Sequence, residues 1–192
     1  MQIISSLLNL QAEQITDKQM LAIFNDSQSR VRTMALIHEQ LYRSFDVGAI
    51  NLKTYVHYLV QFLERTYHSY NNSVEFCIEV EEFDLSVDLA VPCGLIINEL
   101  VSNALKYSQG NENICKIALT IFRTFSDKSQ IHLVVSDNGL GISDVKIIDN
   151  PATLGLQLVQ MLTVQLGGNI RIHCGKETKY GGTEISIDFV GN

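Results

Sequence analysis

The sequence is poor in features that mark several function classes. Its four cysteines, Cys77, Cys93, Cys115 and Cys174, are widely spaced and form no CxxC pair. Zinc-knuckle and dithiol redox readings therefore fail, and scattered thiols fit a reducing cytosol. No uninterrupted apolar run reaches the ~18 residues needed to span a bilayer. No basic segment followed by an apolar stretch and a small-residue cleavage site opens the chain. A cytoplasmic location without membrane contact is expected. Basic residues are scarce: 14 Lys and Arg stand against 21 Asp and Glu, for a net charge of −7. That balance argues against general nucleic-acid binding, although backbone N–H groups and a single lysine can hold phosphates inside an acidic protein. Repeats and low-complexity segments are absent. What is there is an ordinary globular composition of 192 residues, 46% hydrophobic and 18% charged. It suits one domain with a small appendage.

The character of the chain shifts near position 48. Residues 1–47 read as a helical hairpin. Ile3, Ile4, Leu7, Leu8 and Leu10 mark a first helix, and a polar link runs from Glu13 to Lys18. A second helix over 27–45 carries Val31, Met34, Ala35, His38, Leu41, Tyr42 and Phe45 on one face. Two such helices cannot bury their stripes alone, so the hairpin is expected to pack on another copy or another element.

Residues 48–192 read as mixed α and β. Asn51 is placed to cap a helix through Tyr55, Leu59 and Phe62. Residues 74–80 alternate like a strand. A long helix spans 89–107, with Pro92 near its first turn. Strands follow at 114–125 and 131–137, then a helix over 154–166 that ends at Gly167-Gly168. Two more strands cover 169–174 and 183–190. Antiparallel hairpins with helices between them predict an α+β, two-layer α/β sandwich.

Four segments carry candidate chemistry. On the long helix Glu99, Asn103 and Lys106 share one face, opposite Gly94, Ile97, Val101, Ala104 and Leu105. An Asn oxygen suits Mg²⁺, and a lysine can neutralise phosphate. Asp137 ends a strand and shares parity with Ile131, Leu133 and Val135, so it is aimed at the buried side. A buried carboxylate needs a donor such as the exocyclic amine of adenine, and Gly139 and Gly141 let the backbone approach a flat base. Thr153-Leu154-Gly155-Leu156 opens a helix whose free N–H groups form an anion site. In Gly181-Gly182-Thr183 the strand parity turns Thr183 inward. Each segment alone has a plainer reading: a solvated helix face, an Asp-Asn-Gly turn, a Thr N-cap, a hairpin turn.

Their order is more specific than any one of them. The run from Asn98 to Tyr107 resembles the N box of the Bergerat-fold ATPases, which include gyrase, MutL and the histidine kinases. Asp137 to Ile142 resembles their G1 box, Thr153 to Leu158 their G2 box, and Gly181-Gly182-Thr183 their closing glycine motif. Within that group the chain is most similar to sensor histidine kinases of the HisKA_2 and HWE type, whose dimerisation segment reads like Gln2 to Gln11 and then Ile37 to Tyr42.

The resemblance implies an ATP site in which Asp137 takes the adenine amine beside Gly139, Gly141 and Ile142. Asn103 would coordinate Mg²⁺, with Lys106 and Tyr107 close to the nucleotide. Thr153, Leu154, Gly155 and Leu156 would close over the triphosphate at the end of a lid spanning about 143–153, while Gly182 and Thr183 would complete the pocket. Glu99 stands where hydrolytic relatives keep a water-activating base. A homodimer through the hairpin and a response-regulator receiver domain are the implied partners.

In that family the phosphoacceptor histidine lies just before the segment that begins here at Met1, so none is expected in this chain and trimming at that point is the preferred reading. His38-Glu39 offers a substitute, but His38 sits on the apolar face and no Arg-x-Pro follows. His132 and His173 have the parity of exposed sheet residues; His57 and His68 lack ligand-spaced partners. Glu79–Glu82 and Asp84 read as a solvated strand end. An anti-sigma-type serine kinase, an ATP-holding regulatory module or a degenerate site are the alternatives.

Overall fold

The computed structural model describes residues 10–12, 14–43, 49–67, 73–107, 114–124, 129–141 and 153–191. Helix α1 is Lys18–Arg43. It begins nine residues before the expected start, because Asp17 caps it by accepting the Met20 N–H at 2.9 Å. No Gly or Pro interrupts the next turns. Ser27 and Thr33 donate to the carbonyls of Ile23 and Ser29 at 3.1 and 2.9 Å, which satisfies hydroxyls inside the helix. Of the stretch expected to form the hairpin's first helix only residues 10–12, which are helical, lie among those described, and the side chains of His38, Leu41 and Tyr42 lie outside them.

After α1 come β1 (Ala49–Asn51), α2 (Leu52–Tyr67), β2 (Val74–Val80), β3 (Asp84–Ser86) and α3 (Val87–Tyr107). They are followed by β4 (Cys115–Arg123), β5 (Gln130–Asp137), α4 (Leu154–Gln165), β6 (Asn169–Cys174), a 3-10 turn at Gly175–Glu177 and β7 (Thr183–Val190). Asn51 caps α2 by accepting the Thr54 N–H at 2.9 Å. The five-stranded sheet runs in the order β2-β4-β5-β7-β6. Its β2–β4 pair is parallel and the other pairs are antiparallel. The β1–β3 ribbon is antiparallel and separate. It is absent from the sequence reading, because strands of three residues carry too little alternation to be distinguished from the start of a helix.

The expected two-layer sandwich is what forms. Ile117, Leu119 and Ile121 of β4, Ile131, Leu133 and Val135 of β5, and Ile185, Ile187 and Phe189 of β7 turn into one core with α2, α3 and α4. Helix α3 differs from expectation. It is buried nearly all round from Pro92 to Leu105, because α2 and the sheet cover one side and α1 covers another. Among the described helices it is long and apolar enough to cross a membrane, but 72% of the relevant window is buried within the protein, as befits a core helix.

The opposite face of the sheet holds a second departure. His173 is exposed, as its parity predicts, but His132 is half-buried. Its ring lies 2.5 Å from both Thr124 Oγ1 and Asp188 Oδ1 and stacks on Phe122. Arg171 pairs with the other Asp188 oxygen at 3.0 Å. Cross-strand neighbours thus fill a face that alternation alone assigns to solvent. At the acidic strand end, Glu81 forms an ion pair with Arg123 at 2.9 Å.

Candidate functional site

A cleft of about 820 Å³ opens between α3, the ends of β5 and β7, and the start of α4. That volume suits a small organic ligand. Of the residues named from sequence, Glu99, Asn103, Lys106, Tyr107, Asp137, Gly139, Gly141, Thr153, Leu154, Gly155, Leu156 and Thr183 line it. Gly182 is not among the lining residues but packs against Asp137 and Gly139. Ile142 and residues 143–152 lie outside the described residues.

Strand β5 delivers Asp137 to the cleft. Its Oδ1 accepts the Gly139 N–H at 2.7 Å and the Thr183 N–H at 3.3 Å. Burial pushes the carboxyl above its ordinary value, and those two N–H groups oppose the shift. The backbone around it is packed too closely for larger residues. A Cβ at Gly182 would lie 2.5 Å from Asp137 O and from Gly139 N, and 2.6 Å from Asp137 Oδ1. Gly141 has φ +74°, a conformation that side chains rarely adopt. Asn138 anchors the same turn to β4, its Oδ1 accepting the Lys116 N–H at 2.8 Å and its Nδ2 donating to Ile114 O at 2.9 Å.

Helix α4 begins at the other side of the cleft. Thr153 caps it with extended backbone, and its Oγ1 accepts the Leu156 N–H at 3.4 Å. Its first turn rests on α3: a Cβ at Gly155 would come within 2.7 Å of Glu99 Oε2 and 3.8 Å of Asn103 Nδ2. Only glycine leaves Glu99 its place there.

Helix α3 supplies Glu99, Asn103 and Lys106 to one side of the cleft. Glu99 is only 4% exposed, and Asn103 is half-buried. The expected polar face is therefore not a solvated one. Arg30 of α1 donates Nε and Nη2 to the two Glu99 oxygens at 2.8 and 2.9 Å. Asn98 adds its amide at 3.0 Å. The Glu99 hydrogen bonds drive the Arg30 guanidinium pKa upward, against the effect of burial. Lys106 donates to Asp26 Oδ1 at 2.5 Å and stands over the Tyr67 ring. Tyr67 donates to the same oxygen at 3.2 Å. Beneath these pairs Ser29 and Thr33 donate to Asn98 Oδ1 at 2.6 and 3.1 Å.

Ile23, Asp26 and Arg30 thus line the cleft from the helical hairpin, although the sequence reading confines the site to residues after 98. No spacing rule reaches them, because their partners are brought near only when α1 docks on α3. Val135 and Ile185 also line it, and these share strand parity with Asp137 and Thr183. Among the described residues no cluster of three His, Cys, Asp or Glu side chains could hold a metal by itself. The residues present fit a magnesium ion that brings phosphate oxygens with it: the Asn103 carboxamide lines the same cleft as the start of α4.

Comparison with known proteins agrees with this arrangement. Residues 1–67 match the family described as histidine kinase, and residues 89–190 match the histidine kinase-, DNA gyrase B-, and HSP90-like ATPase family. The sensor histidine kinase PdtaS of Mycolicibacterium smegmatis is 28% identical over 97% of this chain and 36% of its own length. Blue-light-activated histidine kinase 2 of Erythrobacter litoralis is 24% identical over 86% of this chain and 46% of its own length. The solved histidine kinase domain of the Erythrobacter litoralis blue-light activated kinase superposes with a TM-score of 0.74 at 20% identity, covering 97% of this chain and 83% of that one. The chain spans little more than a third of the length of PdtaS. A five-stranded sandwich with its cleft at Asp137 and Asn103, reached from both sequence and architecture, leads to one assignment: the chain belongs to the histidine kinase-, DNA gyrase B-, and HSP90-like ATPase family and carries the ATPase domain of a sensor histidine kinase.

Proposed function

We propose that this chain is the catalytic core of a cytoplasmic two-component histidine kinase that binds Mg-ATP and transfers its γ-phosphoryl group to a histidine upstream of Met1. The observation that carries the reading is that Asp137 and Asn103, from different elements, line one cleft together with the start of α4. Asp137 Oδ1 is taken by two N–H groups, which reserves Oδ2 for the adenine amine. Gly139 and Gly141 admit the base plane, with Tyr107 and Leu140 at the rim. Asn103 offers its oxygen to Mg²⁺, which neutralises charge on the triphosphate. Lys106, Thr153, Leu154, Gly155 and Leu156 surround the phosphates, with Thr183 and Gly182 supporting Asp137. In the transfer the bond between the γ-phosphorus and the β–γ bridging oxygen breaks and a P–N bond to imidazole forms. ADP leaves, and the imidazole N–H proton passes to solvent or a nearby base. The phosphoryl group then passes to an aspartate of a receiver domain.

We divide the chain at 47/48, since α2 is embedded in the nucleotide domain's core through Leu52, Tyr55, Val56, Leu59 and Leu63. We assign the exposed Met20 and Met34 of α1 to a homodimer contact; with Ser27 they repeat every seven residues. Glu99 is held by Arg30, so its role here is structural whenever α1 is docked.

The test is labelling with [γ-³²P]ATP. A chain extended upstream should become labelled on histidine and pass the label to a receiver domain, whereas residues 1–192 alone should bind ATP without labelling. Absence of label from both chains would refute the kinase reading, and label lost on His38→Gln would move the acceptor into α1.

A further inference from the structure

The nucleotide cleft is closed on one side by a helix that uses up its positive charges. The described lining carries two cations, Arg30 and Lys106, and three carboxylates, Asp26, Glu99 and Asp137. Both cations are already paired: Arg30 with Glu99 in a two-pronged contact, and Lys106 with Asp26 at 2.5 Å. The Lys106 side chain is only 13% exposed, so it has little room to serve a second anion from the same position. As it stands the cleft offers a polyphosphate no uncommitted ammonium or guanidinium among the described residues, and it presents the Asp26 carboxylate beside the one lysine of its wall.

Resting on the nucleotide reading above, we propose that Asp26 is a built-in competitor of the ATP phosphates for Lys106, so that docking of α1 on α3 and binding of Mg-ATP oppose one another. With α1 docked, Asp26 holds the lysine and repels the triphosphate. With Mg-ATP bound, Lys106 turns to phosphate, Asp26 loses its cationic partner and keeps the Tyr67 hydroxyl, and α1 is left with that contact, the Arg30–Glu99 pair and the Ser29/Thr33–Asn98 contacts. Linkage makes the effect reciprocal: docking of α1 weakens Mg-ATP binding by the same factor by which bound Mg-ATP weakens docking. A movement of α1 therefore reaches the nucleotide cleft through its ion pairs there, of which Asp26–Lys106 is the one that competes with phosphate. The neighbouring contacts fit such a role. Asn98 Oδ1 takes two hydroxyl donors from α1, Ser29 and Thr33, so α1 docks in one register. Tyr67 holds Asp26 toward Lys106.

Calorimetric titration of the parent chain and Asp26→Asn with Mg-ATP and, separately, with adenosine tests the competition. Asparagine keeps the shape of the side chain and removes its charge. Mg-ATP should bind Asp26→Asn about five- to tenfold more tightly, the factor expected of one partly buried ion pair. Adenosine, which lacks phosphates, should bind both proteins alike. Equal Mg-ATP affinity for the two proteins, or a gain shared by adenosine, would overturn the competition and leave the nucleotide reading standing. Failure of both proteins to bind Mg-ATP at all would overturn the competition and the nucleotide reading together, and failure of Asp26→Asn alone would overturn the competition. Amide hydrogen exchange on the unaltered chain supplies a second reading: Mg-ATP should speed exchange across residues 26–35 of α1. Exchange that slows or stays the same there would contradict the proposal.

Discussion

Asp137 sits in a local conflict. Its carboxylate is desolvated enough for burial to raise its pKa, yet Gly139 and Thr183 hold it in place. A raised carboxyl pKa means that the folded state binds a proton more tightly than the unfolded chain does. The contribution to stability is therefore present below the ordinary carboxylate pKa and is lost as pH rises through the higher folded value. Asp137→Asn keeps the acceptor for both N–H groups and removes the charge. At pH 7 this variant should melt at a higher temperature than the parent, and the gap should close as pH falls below the ordinary carboxylate range. The same variant should bind Mg-ATP ~10- to 100-fold more weakly, the loss of a charged hydrogen bond to the base. Thermal melts across pH and a titration check the two halves separately. Tyr55 is a second residue at odds with its surroundings. Its hydroxyl is buried without a partner among the described residues, and burial drives its pKa well up. Tyr55→Phe should be neutral or stabilise the chain by about 1 kcal/mol in urea unfolding, since it deletes an unsatisfied polar atom. A substantial loss would mean that the hydroxyl has a partner in solution.

Among the elements, α3 does most to shape the site, and its packing explains both what was legible and what was not. The i, i+4, i+7 spacing of Glu99, Asn103 and Lys106 was readable as one face of a helix, and the parity of β5 and β7 was readable as Asp137 and Thr183 turned inward. These are local periodicities that survive any tertiary arrangement. The charge state of that face was not readable. Glu99 is buried and Lys106 occupied because α1 lies against α3, and nothing in the spacing of residues 18–43 reports where their partners are. The same limit applies to His132, whose parity is that of an exposed residue but whose cross-strand neighbours Asp188 and Phe122 enclose it. Gly94 lets α2 approach α3 closely, since a Cβ there would overlap the Tyr55 hydroxyl at 1.7 Å. Gly94→Ala should destabilise the domain by ~1–3 kcal/mol through overpacking. Denaturant unfolding measures this; unchanged stability would mean that α2 is not fixed against α3.

At the scale of the whole molecule, α1 and the nucleotide domain share a buried polar seam, and the outward face of α1 carries the exposed Met20 and Met34. A homodimer through that face should dissociate more readily when Met34→Glu places a charge in it. Sedimentation equilibrium should show the dimer constant weakened by at least about tenfold, and an unchanged constant would move the interface elsewhere. We propose one cleft in which a carboxylate on β5 selects adenine while a carboxamide on α3 holds the metal and phosphates. A crystal structure with Mg²⁺ and a non-hydrolysable ATP analogue tests it most directly. The adenine amine should lie within hydrogen-bonding distance of Asp137, the ion on Asn103 and the phosphates along the start of α4. A base lodged away from Asp137, or phosphates directed away from Asn103, would contradict it.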